Sequence, residues 1–204
     1  MESYGGSFMS MEHKAFLFNT AKYQIEIRPI LEKSLDEGGK DYAITYINQN
    51  YLKLMSPYTG EYLDENWMDE IEIGGIQEYI DFILTSCYDP NEDMGLEYAW
   101  DALIEAMSKV HVSNDVEYWV LGKPVRYKDI IIDPGAMGLG LVNSEDVVNI
   151  KDILLTLQDF VYSIESINTD MGDITHEDIV CAYNELCKIY KIADEKKCGI
   201  LVTF

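Results

Sequence analysis

The segment DPNEDMG, which begins at Asp89, carries oxygen-bearing side chains at alternate positions. Asp89, Asn91 and Asp93 have the spacing with which a calcium-binding helix–loop–helix begins. The rest of that pattern fails, because Met94 stands where the sharp turn needs glycine and Trp100 stands where a bidentate carboxylate belongs. A helix–helix turn is the favoured interpretation. Calcium binding at these residues is kept as an alternative function, and no residue is assigned as a metal ligand.

A glycine-rich stretch at residues 135–144 follows a predicted strand and precedes a predicted helix, which is the setting of a phosphate-binding loop. Its spacing is G-x-x-G-x-G rather than the dinucleotide fingerprint, with the glycines at Gly135, Gly138 and Gly140. Glu145 and Asp146 occupy the first turn of the following helix, where a phosphate would need positive potential. The stretch therefore predicts a turn, and we expect no cofactor.

The cysteines and histidines show no spacing typical of a metal site or a nucleophilic pair; they are Cys87, Cys181, Cys187, Cys198, His13, His111 and His176. No C-x-x-C motif occurs. Cys181 and Cys187 are six residues apart on a predicted helix and so lie on different faces. We expect buried, reduced cysteines, as in a cytosolic protein. No G-x-S-x-G motif occurs either, so catalytic residues stay unknown.

The charge balance limits the classes of partner. The chain of 204 residues has 37 acidic and 15 basic side chains, with a formal net charge of -22. Such a surface repels phosphate backbones and anionic lipid, so nucleic acid and membranes are not expected partners. A basic protein is an expected partner, because complementary charge accelerates encounter, although excess carboxylates also simply maintain solubility. The 15 tyrosines fit either a binding face or core packing.

The ends and the length of the chain predict its organisation. Residues 1–12 lack periodicity and are predicted to be a flexible tail, followed by one domain at residues 13–204. The chain has no visible secretory signal and no apolar run long enough to span a membrane, so a cytoplasmic location is expected.

In the first half, apolar periodicity predicts one strand at residues 13–18 and then a series of helices. The first helix begins at Asn19 or Thr20 and continues to the glycines at 38 and 39. Three more helices are predicted at residues 42–55, 76–87 and 96–110. Pro29 disfavours an interior helical turn, so a start near Arg28 is an alternative for the first helix. The acidic residues 61–75 are predicted to form a loop, with Trp67 packed against the core.

The second half is predicted to contain strands at residues 116–121 and 126–133, because both runs are rich in strand formers. Asn143 or Ser144 caps a helix that continues to about Leu157, with residues 160–167 as a continuation after a break. Residues 169–173 are predicted to be a loop. Thr175 and Asp178 approximate a capping box before the last helix, which ends at Gly199 and leads into a terminal strand. The predicted fold is a single α+β domain, with several helices packed on a small mixed sheet.

Residues 96–204 resemble a known family. The runs AWDALIEAM, WVLGKPV and GLGLVNSEDVVNI, followed by YNELCKIYKIADEKKCG and ILVTF, occur in the order found in the YfbM-like family of bacterial proteins. The resemblance implies an α+β fold and a bacterial cytoplasmic setting. The family has no established activity or catalytic residues, so the resemblance assigns none here, and the first half of the chain departs from the family pattern.

Three functions follow from these observations. The favoured one is a non-catalytic protein-binding module, of the immunity or inhibitor type, that neutralises a basic toxin or enzyme. The first alternative is an enzyme that acts on a small cationic or neutral substrate, with two carboxylates of separated pKa in one pocket. The second alternative is the calcium binding described above. The sequence leaves the oligomeric state open, and enzyme activity is not favoured.

Overall fold

The computed structural model describes residues 11–36, 39–72, 74–110, 115–132, 138–164, 166–169 and 172–204. Its central sheet contains β1 (Lys14–Phe18), β2 (Lys123–Pro124), β5 (Leu139–Val142) and β8 (Gly199–Thr203). The strand order is β1–β8–β5–β2, and each neighbouring pair is antiparallel. The α+β fold class is therefore confirmed, with an antiparallel rather than a mixed sheet.

Helices from the first half of the chain cover one face of the sheet, which we name the first face. They are α1 (Thr20–Lys22), a π-helical turn (Tyr23–Ile27), α2 (Arg28–Asp36), α3 (Asp41–Asn50) and α4 (Ile76–Leu84). Short 3₁₀ turns follow α3 at Tyr51–Lys53 and precede α4 at Trp67–Glu70. Trp67 is buried in this layer and donates from Nε1 to Asn48 Oδ1 at 3.1 Å, so its predicted packing is confirmed.

Helices from the second half cover the opposite face, which we name the second face. They are α5 (Trp100–Val110), α6 (Asp115–Leu121), α7 (Ser144–Val161) and α8 (His176–Lys196). The fully buried Tyr183 and Tyr190 of α8 donate their hydroxyls to the carbonyl oxygens of Leu154 and Trp119. These bonds satisfy polar groups that would otherwise be costly to bury, and they join α8 to α7 and α6.

Strand β8 is an inner strand of the sheet and lies between the two helical layers. Ile200 and Val202 pack into the core of the second face, whereas Leu201 between them packs into the core of the first face. Successive side chains of a strand point to opposite faces, so a central strand covered on both faces has to be apolar throughout. The terminal strand predicted from GILVTF is therefore confirmed, and its composition is explained by burial on both faces.

The strand predicted at residues 116–121 is wrong, because this segment is helix α6. Val116, Trp119 and Val120 are its buried residues, and their spacing of three and four positions is that of one helical face. Gly122 ends the helix with a φ of 69°. Packing of this stripe against the second-face core outweighs the strand preference of the individual residues.

Two β-hairpins differ from the prediction. The first lies in residues 126–133, which were predicted to be one extended strand, and the second lies where a helix at 160–167 and a loop at 169–173 were predicted. The run at 126–133 contains β3 (Arg126–Tyr127) and β4 (Ile130–Ile131), paired across a turn in which Lys128 has a φ of 52°. The second hairpin pairs β6 (Ser166–Thr169) with β7 (Gly172–Thr175). The predicted continuation at 160–167 is thus wrong, since α7 ends at Val161 and β6 follows.

The first helix passes through Pro29 without ending. The π-helical turn precedes the proline, and the N–H of Arg28 donates to Tyr23 O, five residues back. A widened turn relieves the clash that a proline ring makes with the preceding turn of a regular helix. The start at Asn19 is confirmed, because its side chain accepts from Lys22 N at 2.9 Å. The regular helix α2 begins at Arg28, where the alternative start was predicted.

The ends of α8 show one confirmed signal and one correction. Thr175 and Asp178 form both hydrogen bonds of a capping box, as predicted. The helix ends before Gly199, because Lys197 adopts the left-handed conformation that terminates helices, with a φ of 57°. Gly199 is instead the first residue of β8, where a Cβ atom would lie 2.4 Å from the carbonyl oxygen of Val142.

Candidate functional site

The loop that follows α4 runs along the outer edge of β1. Backbone hydrogen bonds of 2.8 Å join Asn19 N to Cys87 O, Met94 N to Ala15 O and His13 N to Glu97 O. Gly95 passes so close that a Cβ atom there would lie 1.8 Å from the carbonyl oxygen of His13. The loop therefore occupies hydrogen-bonding groups that an edge strand would otherwise expose.

The three residues of the calcium hypothesis lie in this loop, and their side chains hold its backbone. Asp89 Oδ1 accepts from Asn91 N at 2.9 Å, and Asn91 Nδ2 donates to Gly60 O at 2.8 Å. Asp93 Oδ1 accepts from Ala15 N at 3.0 Å and from Gly95 N at 2.9 Å. Within the described residues, no group of three His, Cys, Asp or Glu side chains is arranged to hold a metal ion.

His13 is a buried structural residue. Its Nε2 lies 2.8 Å from Val120 O, and its Nδ1 accepts from Leu96 N at 3.2 Å. These partners fix the neutral form with the proton on Nε2, since the carbonyl accepts and the amide donates. Burial lowers the pKa of His13 below its ordinary value, although its hydrogen bond to Val120 opposes the shift. His176 Nδ1 lies 2.5 Å from Ile164 O at the start of α8, and His111 lies outside the described residues.

The glycine-rich stretch is only partly described, because Gly135 lies outside the described residues. Gly138 has a φ of 83°, as expected of a turn. Gly140 packs against α6, where a Cβ atom would lie 1.8 Å from Leu121 O. At the start of α7, Asp146 Oδ2 accepts a bond of 2.5 Å from Tyr118 OH. A carboxylate and its tyrosine partner thus lie at the helix end that a phosphate would need.

The thiols do not form a reactive group. All four cysteines are free, and burial raises the pKa of Cys87 and Cys187, which lowers their thiolate fraction. The expectation that all four are buried holds only for Cys87, because Cys187 and Cys198 are half-buried and Cys181 is exposed. The reason is helical phase, because the buried face of α8 passes through Ile179 and Ala182 and leaves Cys181 outside it.

The described residues form an open cleft of about 490 Å³ on the first face, beside the β1 edge. Its floor comes from β1, β5 and β8 and includes Phe16, Leu139 and Leu201. One wall contains Tyr58 in the turn after α3, and the other contains Tyr88 in the loop after α4. The volume lies within the range of small-ligand sites, about 300–1,000 Å³. We name this feature the acidic cleft, for the reasons given next.

The charged side chains that line the acidic cleft are Asp81 of α4, Asp93 and Lys14. The walls belong to a segment between Lys53 and Lys109 in which no Lys or Arg occurs, which we name the acidic segment. Carboxylates recur throughout it, at Glu61, Asp64, Glu65, Asp69, Glu70, Glu72, Glu78, Asp81, Asp89, Glu92, Asp93, Glu97, Asp101 and Glu105. A cleft with walls of one charge sign concentrates the field and attracts ligands of the opposite sign.

Two tyrosines bring aromatic surface and hydroxyls into the cleft. Tyr58 OH donates to Asp81 Oδ2 at 3.3 Å, and the Tyr58 side chain remains 59% exposed. The Tyr88 ring lies 5.0 Å from that of Phe16, between centroids. Burial raises the pKa of Tyr88 above the ordinary value, partial burial raises that of Tyr58, and the Asp81 carboxylate raises both further. Both phenols are therefore neutral hydrogen-bond donors at neutral pH.

Motif spacing does not reveal this site. Asp93 belongs to the calcium hypothesis, but Tyr58, Asp81 and Tyr88 belong to no motif, are separated along the chain and meet only through the fold. The interval without lysine or arginine is a usable signal, because it identifies the acidic walls from composition alone.

Comparisons with known proteins identify no relative: no family model, no curated protein and no solved structure matches the chain. The resemblance of residues 96–204 to the YfbM-like family therefore stays a prediction. None of the helices in the described part of the chain is long and apolar enough to cross a membrane.

Proposed function

We propose that this protein is a non-catalytic binding module for a basic protein, of the immunity or inhibitor type, and that the acidic cleft and its rim are the binding surface. The observation that carries the proposal is the coincidence of concave shape with net negative charge, since Asp81 and Asp93 outnumber Lys14 in the lining. The walls of the cleft come from the interval between Lys53 and Lys109, which lacks basic residues. Complementary charge gives a basic partner fast encounter and orients it on this face.

Exposed aromatic side chains support the same surface. Tyr58 and Tyr62 are 59% and 68% exposed, and both belong to the acidic segment. Tyrosine is enriched in protein interfaces, because its rigid ring gives contact area and its hydroxyl gives a hydrogen bond. A carboxylate-rich rim around tyrosines fits a partner with lysines or arginines at its own interface.

The test uses two charge-reversed variants with the same net charge. Glu61→Lys/Glu92→Lys places two cations beside the cleft, whereas Asp152→Lys/Asp159→Lys places two on exposed positions of α7. Each protein is used to capture binding partners from a lysate of the native host, and the Kd of a captured basic protein is then measured by calorimetry. We expect the cleft variant to weaken binding by about tenfold or more and the α7 variant to bind nearly as wild type.

Two results would contradict the proposal. One is that neither wild type nor the α7 variant retains a basic protein. The other is that both variants lose a captured protein equally, because overall charge rather than the cleft would then explain the binding.

An enzyme of carboxylate acid–base type is the second candidate, because the cleft is concave and contains both Asp81 and Asp93. Its test is turnover of small cationic and neutral compounds in a cell extract, followed by NMR. Consumption of a compound by wild type but not by Asp81→Asn would replace the binding proposal. Bound compounds that are never consumed would favour binding over catalysis.

The setting of the protein is part of the proposal. We place it in the bacterial cytoplasm, as the resemblance of residues 96–204 to the YfbM-like family implies. We exclude nucleic acid as a partner, because the net charge of -22 opposes approach to phosphates. A partner gene of basic composition beside this gene would support the assignment, whereas an operon of metabolic enzymes would favour the catalytic alternative.

A further inference from the structure

We propose that the acidic cleft binds one arginine side chain of the basic partner, with its guanidinium between the Asp81 carboxylate and the rings of Tyr58 and Tyr88. This inference rests on the proposed function and names the chemistry of the contact.

The lining of the cleft favours a cation over an anion. Two carboxylates, Asp81 and Asp93, and one ammonium, Lys14, line it, so the lining carries a net negative charge. Asp93 is held against β1 by its bond to Ala15 N, next to Lys14 in the sequence. Asp81 lies at the opposite wall, where its Oδ2 accepts from Tyr58 OH, so a carboxylate stands directly beside the exposed ring.

The aromatic rings favour arginine over lysine. The faces of tyrosine rings attract cations, and a guanidinium stacks on them while it donates hydrogen bonds in its own plane. An ammonium is more strongly hydrated and gains less from a site that is partly apolar. The floor of this cleft is apolar at Phe16 and Leu201, with the Tyr58–Asp81 bond above it. Such a lining suits a weakly hydrated, planar cation.

The cleft is also large enough for a side chain of this length. Its volume of about 490 Å³ and its open mouth admit an arginine together with the flanking peptide. Tyr58 is exposed at the rim, so a partner can reach the ring and Asp81 without movement of the backbone.

The experiment uses capped tripeptides titrated into the full-length protein and followed by NMR of the tyrosine rings. Gly-Arg-Gly is compared with Gly-Lys-Gly and with Gly-citrulline-Gly, in which the guanidinium is replaced by a neutral group of the same shape. We expect arginine to bind about threefold or more tighter than lysine, and citrulline to show no saturable shift. Equal binding of arginine and citrulline would overturn the inference, because charge would then contribute nothing.

Three variants assign the contact to the cleft. Asp81→Asn should weaken Gly-Arg-Gly binding by about tenfold, and Tyr58→Leu by about threefold. Lys14→Gln should tighten it by about twofold or more, because it removes a like charge from the lining. Weaker binding of Gly-Arg-Gly to Lys14→Gln would mean that the negative charge of the lining does not govern the contact, and it would refute the inference. Each variant is compared with wild type by thermal unfolding, and the exposed Glu65→Gln serves as a control in the acidic segment.

The outcomes separate the two proposals. Capture of a basic protein that depends on Glu61 and Glu92, without binding of the arginine peptide, would refute the arginine contact and leave the proposed function standing. Failure of both would refute both. Free arginine that binds about tenfold tighter than the capped peptide would identify a metabolite as the ligand, and the inference of a protein side chain would then be wrong.

Discussion

The buried His13 provides a test of the fold that uses only stability and pH. Its Nε2–H donates to Val120 O and its Nδ1 accepts from Leu96 N–H, so it joins β1 to the end of α6 and to the loop over the β1 edge. Replacement by alanine leaves both backbone groups buried without this partner. Each of the two groups costs about 1–3 kcal/mol, so we expect His13→Ala to lower the free energy of unfolding by about 2–6 kcal/mol.

The pH dependence follows from the lowered pKa of His13. Its ordinary value is 6.5, and burial depresses it in the folded state. Below pH 6.5 the unfolded chain takes up a proton at this residue that the folded protein does not, so the stability from His13 is present above pH 6.5 and is lost as the pH falls. The slope of this loss cannot exceed about 1.4 kcal/mol per pH unit, the value for one proton.

The assay is urea unfolding of wild type and His13→Gln between about pH 8 and pH 5.5, a range above most carboxylate titrations. The difference between the two free energies removes the contributions of His111 and His176, which both proteins retain. We expect wild type to lose stability relative to His13→Gln as the pH falls below 6.5. A flat difference would mean that folded His13 titrates normally. A difference that grows in favour of wild type would mean that its pKa is raised, and either result would refute the assigned neutral form.

Three further predictions concern individual residues. Ser34 is buried, and no described group hydrogen-bonds its hydroxyl, so Ser34→Ala should raise the free energy of unfolding by about 1 kcal/mol. The control Ser56→Ala should lower the free energy of unfolding, because Ser56 Oγ accepts from Tyr58 N and Thr59 N. Lys197 has a φ of 57°, so Lys197→Gly should raise the free energy of unfolding by about 0.5–1 kcal/mol. Lys191→Gly, at an exposed interior position of α8, should lower it by about 1 kcal/mol, and urea unfolding measures both changes. Calcium titrated into the protein should give no saturable heat in calorimetry, because Asp93 Oδ1 already accepts from Ala15 N and Gly95 N; a stoichiometric transition lost in Asp93→Asn would contradict this.

The long helices and the terminal strand could be predicted because their signals are local. Asn19 and Thr175 cap helices with their own side chains, and the apolar run from Gly199 forms the central strand. Helix α6 could not be predicted in this way, because a short run of β-branched and aromatic residues fits either period. The helix is selected by the burial of Val116 and Trp119 against the second-face core, which is a tertiary effect.

Of the candidate site, only its negative charge could be predicted from the sequence. The acidic segment is visible in the sequence, but Tyr58, Asp81 and Phe16 become neighbours through three different elements. Hydrogen bonds between distant residues, such as that from Asn91 Nδ2 to Gly60 O, bring the two walls of the cleft together. No spacing rule describes such contacts, because they depend on how the loop after α4 crosses the edge of the sheet.

The path of this loop also determines at which residues a substitution can test binding without disturbing the fold. Asp93 lines the cleft and holds Ala15 N of β1, so its replacement would change both the charge of the site and the closure of the sheet edge. Asp81 lies on α4 and accepts a hydrogen bond from the exposed Tyr58, and Asp81→Asn removes its charge while keeping the size of the side chain. Loss of arginine binding in Asp81→Asn at unchanged stability would therefore identify recognition, whereas the same loss in Asp93→Asn would not separate recognition from folding.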